Sequence, residues 1–270
     1  MASPAYDSDP KALLKALLTT IEDDVIPLTS KGVSSGNKLF GAAILSKAGL
    51  VPQTVSTNNE TASPLLHGEI NCIQQFFAQT SFPAAAAASS SSSSSKSEAR
   101  RPLTSSTTQQ RPSPRDCVFL ATHEPCSLCL SGITWSGFDN FFYMFTYEDS
   151  RDLFSIPYDI DILQEVFRVP AVLPPARSSG GGIKGEGVVE EEEEEEKEDL
   201  DARPLYNRRN KFFTARSFED LAREIAERYG EAEGERWRDE IRRVKARYDG
   251  LSDTYQKSKT EVVGSASIWK

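Results

Sequence analysis

Two short stretches of this chain concentrate residue types that bind metal ions. His67 and Glu69 lie in the first, Leu65–Ile70, and Cys126 and Cys129 lie in the second, Glu124–Cys129. Cysteines three residues apart face the same way on a helix. Thiolates are ligands of zinc, and the positive end of a helix lowers the pKa of a thiol placed there. The two stretches therefore predict one metal site assembled from distant parts of the chain.

The number of ligands indicates what such a site does. His67, Cys126 and Cys129 supply three ligands to tetrahedral zinc and leave one position for water, which is the catalytic arrangement. Glu69 stands two residues from His67, and a regular helix would put the two side chains on opposite sides. The pair works together only if His67 lies at the mouth of the helix. Glu69 would then be free for proton transfer.

His123 is the alternative fourth ligand, because it is the other histidine of the chain and lies close to Cys126. A fourth protein ligand would make the zinc structural. We favour the interpretation that His123 is a loop residue that shapes the approach to Cys126, and that Glu124 orders the same loop by hydrogen bonding. Cys72 and Cys117 are expected to be buried small residues.

Two low-complexity segments divide the chain. Residues 84–95 are five Ala followed by seven Ser, and Glu190–Glu196 is an unbroken acidic run. Neither can bury enough apolar surface to offset the entropy of ordering, so we expect a disordered insert at about 83–114 and a disordered linker at 177–202. Removing the seven Glu from the net charge of -9 leaves -9 + 7 = -2. The rest of the chain is thus close to neutral, which argues against binding to nucleic acid. The charged C-terminal helices nevertheless leave a nucleic-acid partner as an open alternative.

Cysteine usage and hydropathy bear on the compartment. Four cysteines in 270 residues do not form a disulfide framework. The N-terminus lacks a signal-peptide pattern, and no apolar run approaches the length of a membrane span. We therefore expect a soluble protein without a membrane partner, in the cytosol or the nucleus.

Hydrophobic periodicity predicts an α/β domain with a mixed sheet and helices on both faces. The expected domains are a zinc domain at 1–176, the linker at 177–202 and a helical C-terminal extension at 203–270. A helix is expected to start at Pro10 and to end near Ile26, because Pro27 follows. Gly41 indicates a close backbone approach. The further elements are expected strands at 38–46, 51–57, 117–122, 140–147 and 169–173, and helices at 66–79, 126–136, 159–167, 218–229 and 237–248.

From Phe40 to about Asp149 the chain resembles the cytidine and deoxycytidylate deaminase superfamily. Leu66-His67-Gly68-Glu69-Ile70 is similar to the version in fungal cytosine deaminases, which has Gly where many relatives have Ala. The stretch from Thr122 to Gly132 is similar to the guanine deaminase and tRNA adenosine deaminase branches. The resemblance implies a three-layer α/β/α fold with a central sheet of about five strands. It assigns zinc ligation to His67, Cys126 and Cys129, and proton shuttling to Glu69.

The resemblance also implies a function. It points to hydrolytic deamination of a small nucleobase or nucleoside, of cytosine, cytidine or guanine type, in which zinc-bound hydroxide attacks the amine-bearing ring carbon. Asn58, at the end of the second strand, is expected to hold the substrate, and Phe40 is expected to lie near its ring. Relatives commonly dimerise, so the resemblance leaves a homodimer as an open alternative to a monomer. The alternatives are a deaminase, or a subunit of one, acting on tRNA adenosine, and a non-catalytic module that zinc braces.

Overall fold

The computed structural model describes residues 9–78, 111–167 and 204–261. Most of the predicted insert, the acidic linker and the predicted strand at 169–173 lie outside these ranges. The described α-helices are α1 Pro10–Thr20, α2 Ile26–Ser34, α3 Gly68–Ala78, α4 Ser127–Trp135, α5 Tyr147–Phe154, α6 Tyr158–Ile162, α7 Phe218–Tyr229, α8 Glu231–Lys245 and α9 Asp249–Glu261. The strands are β1 Gly41–Ser46, β2 Pro52–Thr57, β3 Cys117–His123, β4 Asn140–Phe145 and β5 Thr214–Ser217.

The strands of the described residues form one mixed sheet of five, in the order β2-β1-β3-β4-β5. β1 runs antiparallel to both β2 and β3, whereas β3, β4 and β5 are parallel. Every residue of β3 and of β4 is buried, as expected for strands covered on both faces. The predicted α/β class with a mixed sheet is therefore confirmed.

Helices cover both faces of the sheet. The side chains of β1 alternate, so that Ala43 and Leu45 join the core beneath α1, α2 and α7–α9. Ala42 and Ile44 join the opposite core, which α3 and α4 cover. Among the described residues, no helix is both long enough and apolar enough to span a bilayer.

The fifth strand lies where the sequence predicts only helices. β5 pairs with β4 in parallel, with Asn140 opposite Thr214 and Tyr143 opposite Ser217. Ser217 then caps α7 in a reciprocal pair of hydrogen bonds with Asp220. The helical description of residues 203–270 is wrong at this strand, because these residues complete the sheet. The division of the chain into domains stays a prediction.

Pro27 does not end the first helix. α1 continues through a π-helical turn, Ile21–Val25, into α2, whose first turn contains Pro27. A proline has no N–H, and its ring crowds the carbonyl one turn back, so a wider turn before it accommodates the ring. The predicted start of the helix is confirmed, since the Asp9 carboxylate accepts from the N–H groups of Lys11 and Ala12.

Gly41 lies in close contact with the helix that crosses β1, as predicted. A Cβ added to Gly41 would lie 2.4 Å from Cγ1 of Val25 and 3.3 Å from the carbonyl oxygen of Ser56. The Gly41 N–H donates to Oγ1 of Thr122 at 2.9 Å. The strand can approach the helix only because this position has no side chain.

The hairpin of α7 and α8 depends on a second glycine. A Cβ at Gly234 would lie 2.4 Å from Cβ of Ala226 and 3.2 Å from the carbonyl oxygen of Ala222. Both neighbours belong to α7 and cannot rotate away. At Gly250, in the first turn of α9, an added Cβ meets nothing within 4 Å among the described residues.

We predict that Gly234→Ala lowers the free energy of unfolding by about 1–3 kcal/mol, because the added methyl group forces the two helices apart. Gly250→Ala is the matched control and should leave stability unchanged or raise it by up to about 1 kcal/mol. Urea unfolding followed by circular dichroism measures both. Equal effects of the two substitutions would contradict this account of the hairpin.

Candidate metal centre

Both half-sites lie where a helix begins. His67 directly precedes α3, and its carbonyl oxygen accepts from the N–H of Asn71 at 2.8 Å. Cys126 is the N-cap of α4, with extended φ and ψ of -64° and 173°, and Cys129 lies in the first turns of that helix. The helices pack closely, since a Cβ at Gly132 would lie 2.5 Å from Cδ1 of Ile70. This packing brings the two N-termini together.

The three side chains have the spacing of ligands to one ion. Nδ1 of His67 lies 3.4 Å from Sγ of Cys126 and 3.6 Å from Sγ of Cys129. All three ligand atoms lie within 4.8 Å of one another. A tetrahedral zinc with ordinary bond lengths to nitrogen and sulfur separates such atoms by roughly 3.5 Å. The donor set and its spacing therefore fit zinc.

Glu69 lies beside this group. Its Oε2 is 3.3 Å from Sγ of Cys129, and the residue is 5% exposed. Burial raises the pKa of Glu69 to about 7, and the negative charge of Cys126 adds to the effect. His67 precedes the helix, and Glu69 lies in its first turn. Both side chains therefore approach Sγ of Cys129, although they are two residues apart in the sequence.

The electrostatics of the group favour a positive ion. Burial alone would lower the pKa of His67, but the hydrogen bond and the negative charge of Cys126 outweigh it and raise that pKa to about 9. Hydrogen bonds from Cys129 and from His67 hold the pKa of Cys126 well below its usual range. Burial, and then the hydrogen bond and the negative charge of Cys126, raise the pKa of Cys129 well above its usual range, so the two sulfurs ionise together only beside a cation.

His123 does not belong to this group. The group of described residues able to hold a metal consists of His67, Cys126 and Cys129. His123 is the last residue of β3, not a loop residue as predicted. Nδ1 of His123 lies 2.9 Å from Oγ1 of Thr122, and its ring packs on Phe40 and Phe145 with centroids 4.3 and 4.7 Å away. The ring is part of the core.

The two predicted substrate-binding residues differ in what they contact. Asn58 is 1% exposed, and its Oδ1 accepts from the N–H of Gly68 at 2.6 Å. Its Nδ2 has no hydrogen-bond partner among the described residues. The ring of Phe40 packs against His123, while the Phe40 carbonyl accepts from the N–H of Asn58 at 3.1 Å. Their contacts with a substrate stay a prediction.

Two further residues at the site carry no recognisable sequence signal. Burial raises the pKa of Asp159, in α6, to about 7, and the negative charge of Cys126 contributes, so its carboxyl group is within electrostatic reach of the metal ligands. Tyr206 donates a hydrogen bond to Oε1 of Glu124 at 2.7 Å. Both lie far along the chain from the two motifs, and only the fold brings them near.

Cys72 and Cys117 are buried and free, as expected for cysteines outside the site. Burial raises the pKa of Cys117 to about 11 and that of Cys72 further. Neither sulfur is therefore ionised near neutral pH.

Comparison with known proteins places this site in a family. The family described as the cytidine and deoxycytidylate deaminase zinc-binding region matches residues 23–145. These residues belong to the cytidine and deoxycytidylate deaminase superfamily. Zinc is accordingly the cofactor of this region, in agreement with the three clustered side chains. A comparison of the whole chain with curated proteins finds no match.

Two solved structures are similar to parts of the chain. Guanine deaminase from Bacillus subtilis is 21% identical with a TM-score of 0.31, over 47% of this chain and 63% of that one. Guanine deaminase from Nitrosomonas europaea is 14% identical with a TM-score of 0.36, over 80% of each chain. The chain thus spans less than two thirds of the length of the Bacillus protein. Neither likeness bears on the substrate of this chain.

The core position of His123 predicts a pH-dependent stability. Burial, and then the charge of Lys245, hold the pKa of His123 well below its usual value. The folded chain therefore keeps this ring neutral where the unfolded chain protonates it. The contribution of His123 to the free energy of unfolding is therefore complete above about pH 6.5. Below that pH it declines by about 1.4 kcal/mol per pH unit, until the pH reaches the pKa that His123 has in the folded chain.

We predict that His123→Phe removes this dependence while keeping an aromatic ring in place. The free energy of unfolding is measured in urea at several pH values between 7 and 5. As the pH falls, we expect the wild type to lose more of this free energy than the variant does. Other acidic groups titrate in both chains and cancel in the difference. A difference independent of pH would mean that His123 is not kept neutral.

Proposed function

We propose that this protein is a zinc-dependent hydrolytic deaminase of a small aminated nucleobase or nucleoside. The observation that supports this most is the position of the buried Glu69 carboxylate. It lies 3.3 Å from Sγ of Cys129, beside three side chains with the spacing of zinc ligands. A zinc that only braced the fold would need no buried carboxylate there, and burying one costs free energy.

In this proposal His67, Cys126 and Cys129 hold the metal through Nδ1 and two Sγ atoms. Zinc in such a site is a Lewis acid and makes water nucleophilic near neutral pH. The three side chains would hold the ion between the N-terminal ends of α3 and α4 and would supply no fourth protein ligand.

Glu69 moves the protons. Its pKa of about 7 allows it to accept a proton and to release it at neutral pH. The oxygen of water bonds to the ring carbon that bears the amine, and the carbon–nitrogen bond breaks. Glu69 carries one proton of the water to the ring nitrogen and the other to the departing ammonia, so that atoms and charge balance.

Asn58 and Phe40 form the substrate side of the site in this proposal. Oδ1 of Asn58 is occupied by the N–H of Gly68, so its orientation is fixed. Nδ2 is left as a buried donor without a partner among the described residues, and a ring carbonyl or a sugar hydroxyl would satisfy it. Phe40 supports Asn58 through its carbonyl oxygen, and in this proposal its ring lies near the ring of the substrate.

We expect the purified protein to contain one zinc ion per chain and to release ammonia from one member of a panel of cytosine, cytidine, guanine, guanosine and adenine. Glu69→Gln, which keeps the shape of the side chain, should lower kcat by a factor of about 100 or more and retain the zinc. Zinc content by atomic absorption and ammonia release measure the two quantities.

The exposed Glu235 of α8 provides the control, because Glu235→Gln also removes one carboxylate and should leave both quantities unchanged. Full activity of Glu69→Gln would overturn the mechanism. A zinc-loaded protein that is inert on the whole panel would favour a non-catalytic role. Activity confined to adenosine in tRNA would favour the nucleic-acid alternative.

The amide of Asn58 provides a separate test of the substrate side. Asn58→Asp keeps the oxygen that accepts from Gly68 but removes the Nδ2 donor, so the helix start and the metal should be retained. We expect kcat/KM to fall by about tenfold, mainly through a higher KM, because one hydrogen bond to the substrate is lost. Unchanged kinetics with unchanged zinc content would remove Asn58 from the substrate site.

A further inference from the structure

Residues 124 and 125, which lead into Cys126, are held by hydrogen bonds on several sides. The N–H of Glu124 donates to the carbonyl oxygen of Phe145 at 2.8 Å, which continues the pairing of β3 with β4. The hydroxyl of Tyr147 donates to the carbonyl oxygen of Pro125 at 2.5 Å. Cys126 is the next residue, so the position of its sulfur follows from the position of this loop.

The Glu124 side chain is a junction between three parts of the chain. It is 7% exposed, its Oε2 accepts from the N–H of Tyr147 at 3.2 Å, and its Oε1 accepts from the hydroxyl of Tyr206 at 2.7 Å. A carboxylate buried to this degree needs its donors, because an unsatisfied oxygen costs free energy. The hydroxyl of Tyr143 also hydrogen-bonds this carboxylate, so loss of the Tyr206 donor would leave Glu124 to its other donors and shift the loop that carries it.

Tyr206 is itself fixed by the sheet. Its ring stacks on Phe141 of β4 with centroids 6.5 Å apart, and packs edge-on against Tyr147 at 6.2 Å. Two residues later, the carbonyl oxygen of Arg208 accepts from the N–H of Ala215 in β5 at 2.7 Å. Tyr206 follows the acidic run in the sequence. Its position is fixed by the contacts of its ring with β4 and by the hydrogen bond between Arg208 and β5.

We propose that Tyr206 is a positioning residue for the metal ligand Cys126 and acts on it through Glu124. This inference rests on the ligand set of the proposed function. A hydrogen bond from a hydroxyl to a carboxylate is short and strong, so it can set the loop to within a few tenths of an ångström. The segment that begins at residue 204 is then part of the metal site, although it contributes no ligand.

The test measures metal affinity directly. Tyr206→Phe removes the hydroxyl and keeps the ring packed on Phe141. We expect its zinc affinity, measured by competition with a chromophoric chelator, to fall by about tenfold, as for partners that support metal ligands. The absorption bands of the cobalt(II)-substituted protein, which report ligand geometry at the metal, should shift as well.

Tyr248→Phe is the control, since it removes the hydroxyl of a buried tyrosine elsewhere in the C-terminal segment. It should change the zinc affinity by less than about twofold and leave the cobalt bands in place. Thermal unfolding of the metal-free proteins compares the stability lost in each variant. An equal loss of zinc affinity in both variants would indicate general destabilisation and overturn the proposal.

A double-mutant cycle with Glu124→Gln tests the route. If Tyr206 acts through Glu124, adding Tyr206→Phe to Glu124→Gln should lower zinc affinity by much less than the tenfold expected alone. If the effects of the two substitutions on zinc affinity are fully additive, or if Tyr206→Phe binds zinc as tightly as the wild type, this inference is wrong. Neither result would affect the assignment of the three metal ligands. A wild-type protein that binds no zinc would instead contradict the proposed function itself.

Discussion

The metal centre depends on the contact between the first residue of α3 and the backbone of β1. A Cβ at Gly68 would lie 3.0 Å from both the carbonyl oxygen of Phe40 and Cα of Gly41. A side chain at this position would therefore push the start of the helix away from the strand by a few tenths of an ångström. The Asn58 side chain fixes the same point by accepting from the Gly68 N–H. His67 and Glu69 flank this glycine, so one contact sets the direction of both functional side chains.

The second half-site reaches the first through helix packing and not through chain proximity. α3 and α4 lie on the same face of the sheet, and the Ile70 side chain fills the space above Gly132. The intervening low-complexity stretch does not need to contribute, because the cost of a longer connection grows only slowly with its length. This explains how an insert can separate the His67 half-site from the two cysteines without disturbing either.

Much of this fold could be predicted from the sequence, for physical reasons that differ among elements. β1, β3 and β4 are continuous apolar runs, and α3 and α4 begin at residues whose chemistry is distinctive. β5 could not be found, since Thr214–Ser217 is four residues long and three of the four are polar. It is a strand because β4 offers it an edge. The π-helical turn before Pro27 could not be found either, because a proline in a helical pattern more often ends the helix than widens the turn before it.

The metal site divides in the same way. His67, Glu69, Cys126 and Cys129 could be named from spacing, because metal ligation restricts residue type severely. Tyr206 could not, because a tyrosine hydroxyl can donate to any acceptor within reach. Asp159 gave no signal either. Residues that support a site from elsewhere in the chain become visible only when the sheet order is known.

That sheet order has a consequence for synthesis of the protein. β4, with the sequence Asn-Phe-Phe-Tyr-Met-Phe, is bordered in the finished sheet by β3 and by β5. During translation β3 emerges before β4, but β5 emerges only after the whole acidic run has left the ribosome. For that interval an aromatic, charge-free strand forms the edge of the nascent sheet, and such edges pair readily with other chains. The delay leaves β4 open to pairing with other chains until β5 has been synthesised and has joined the sheet.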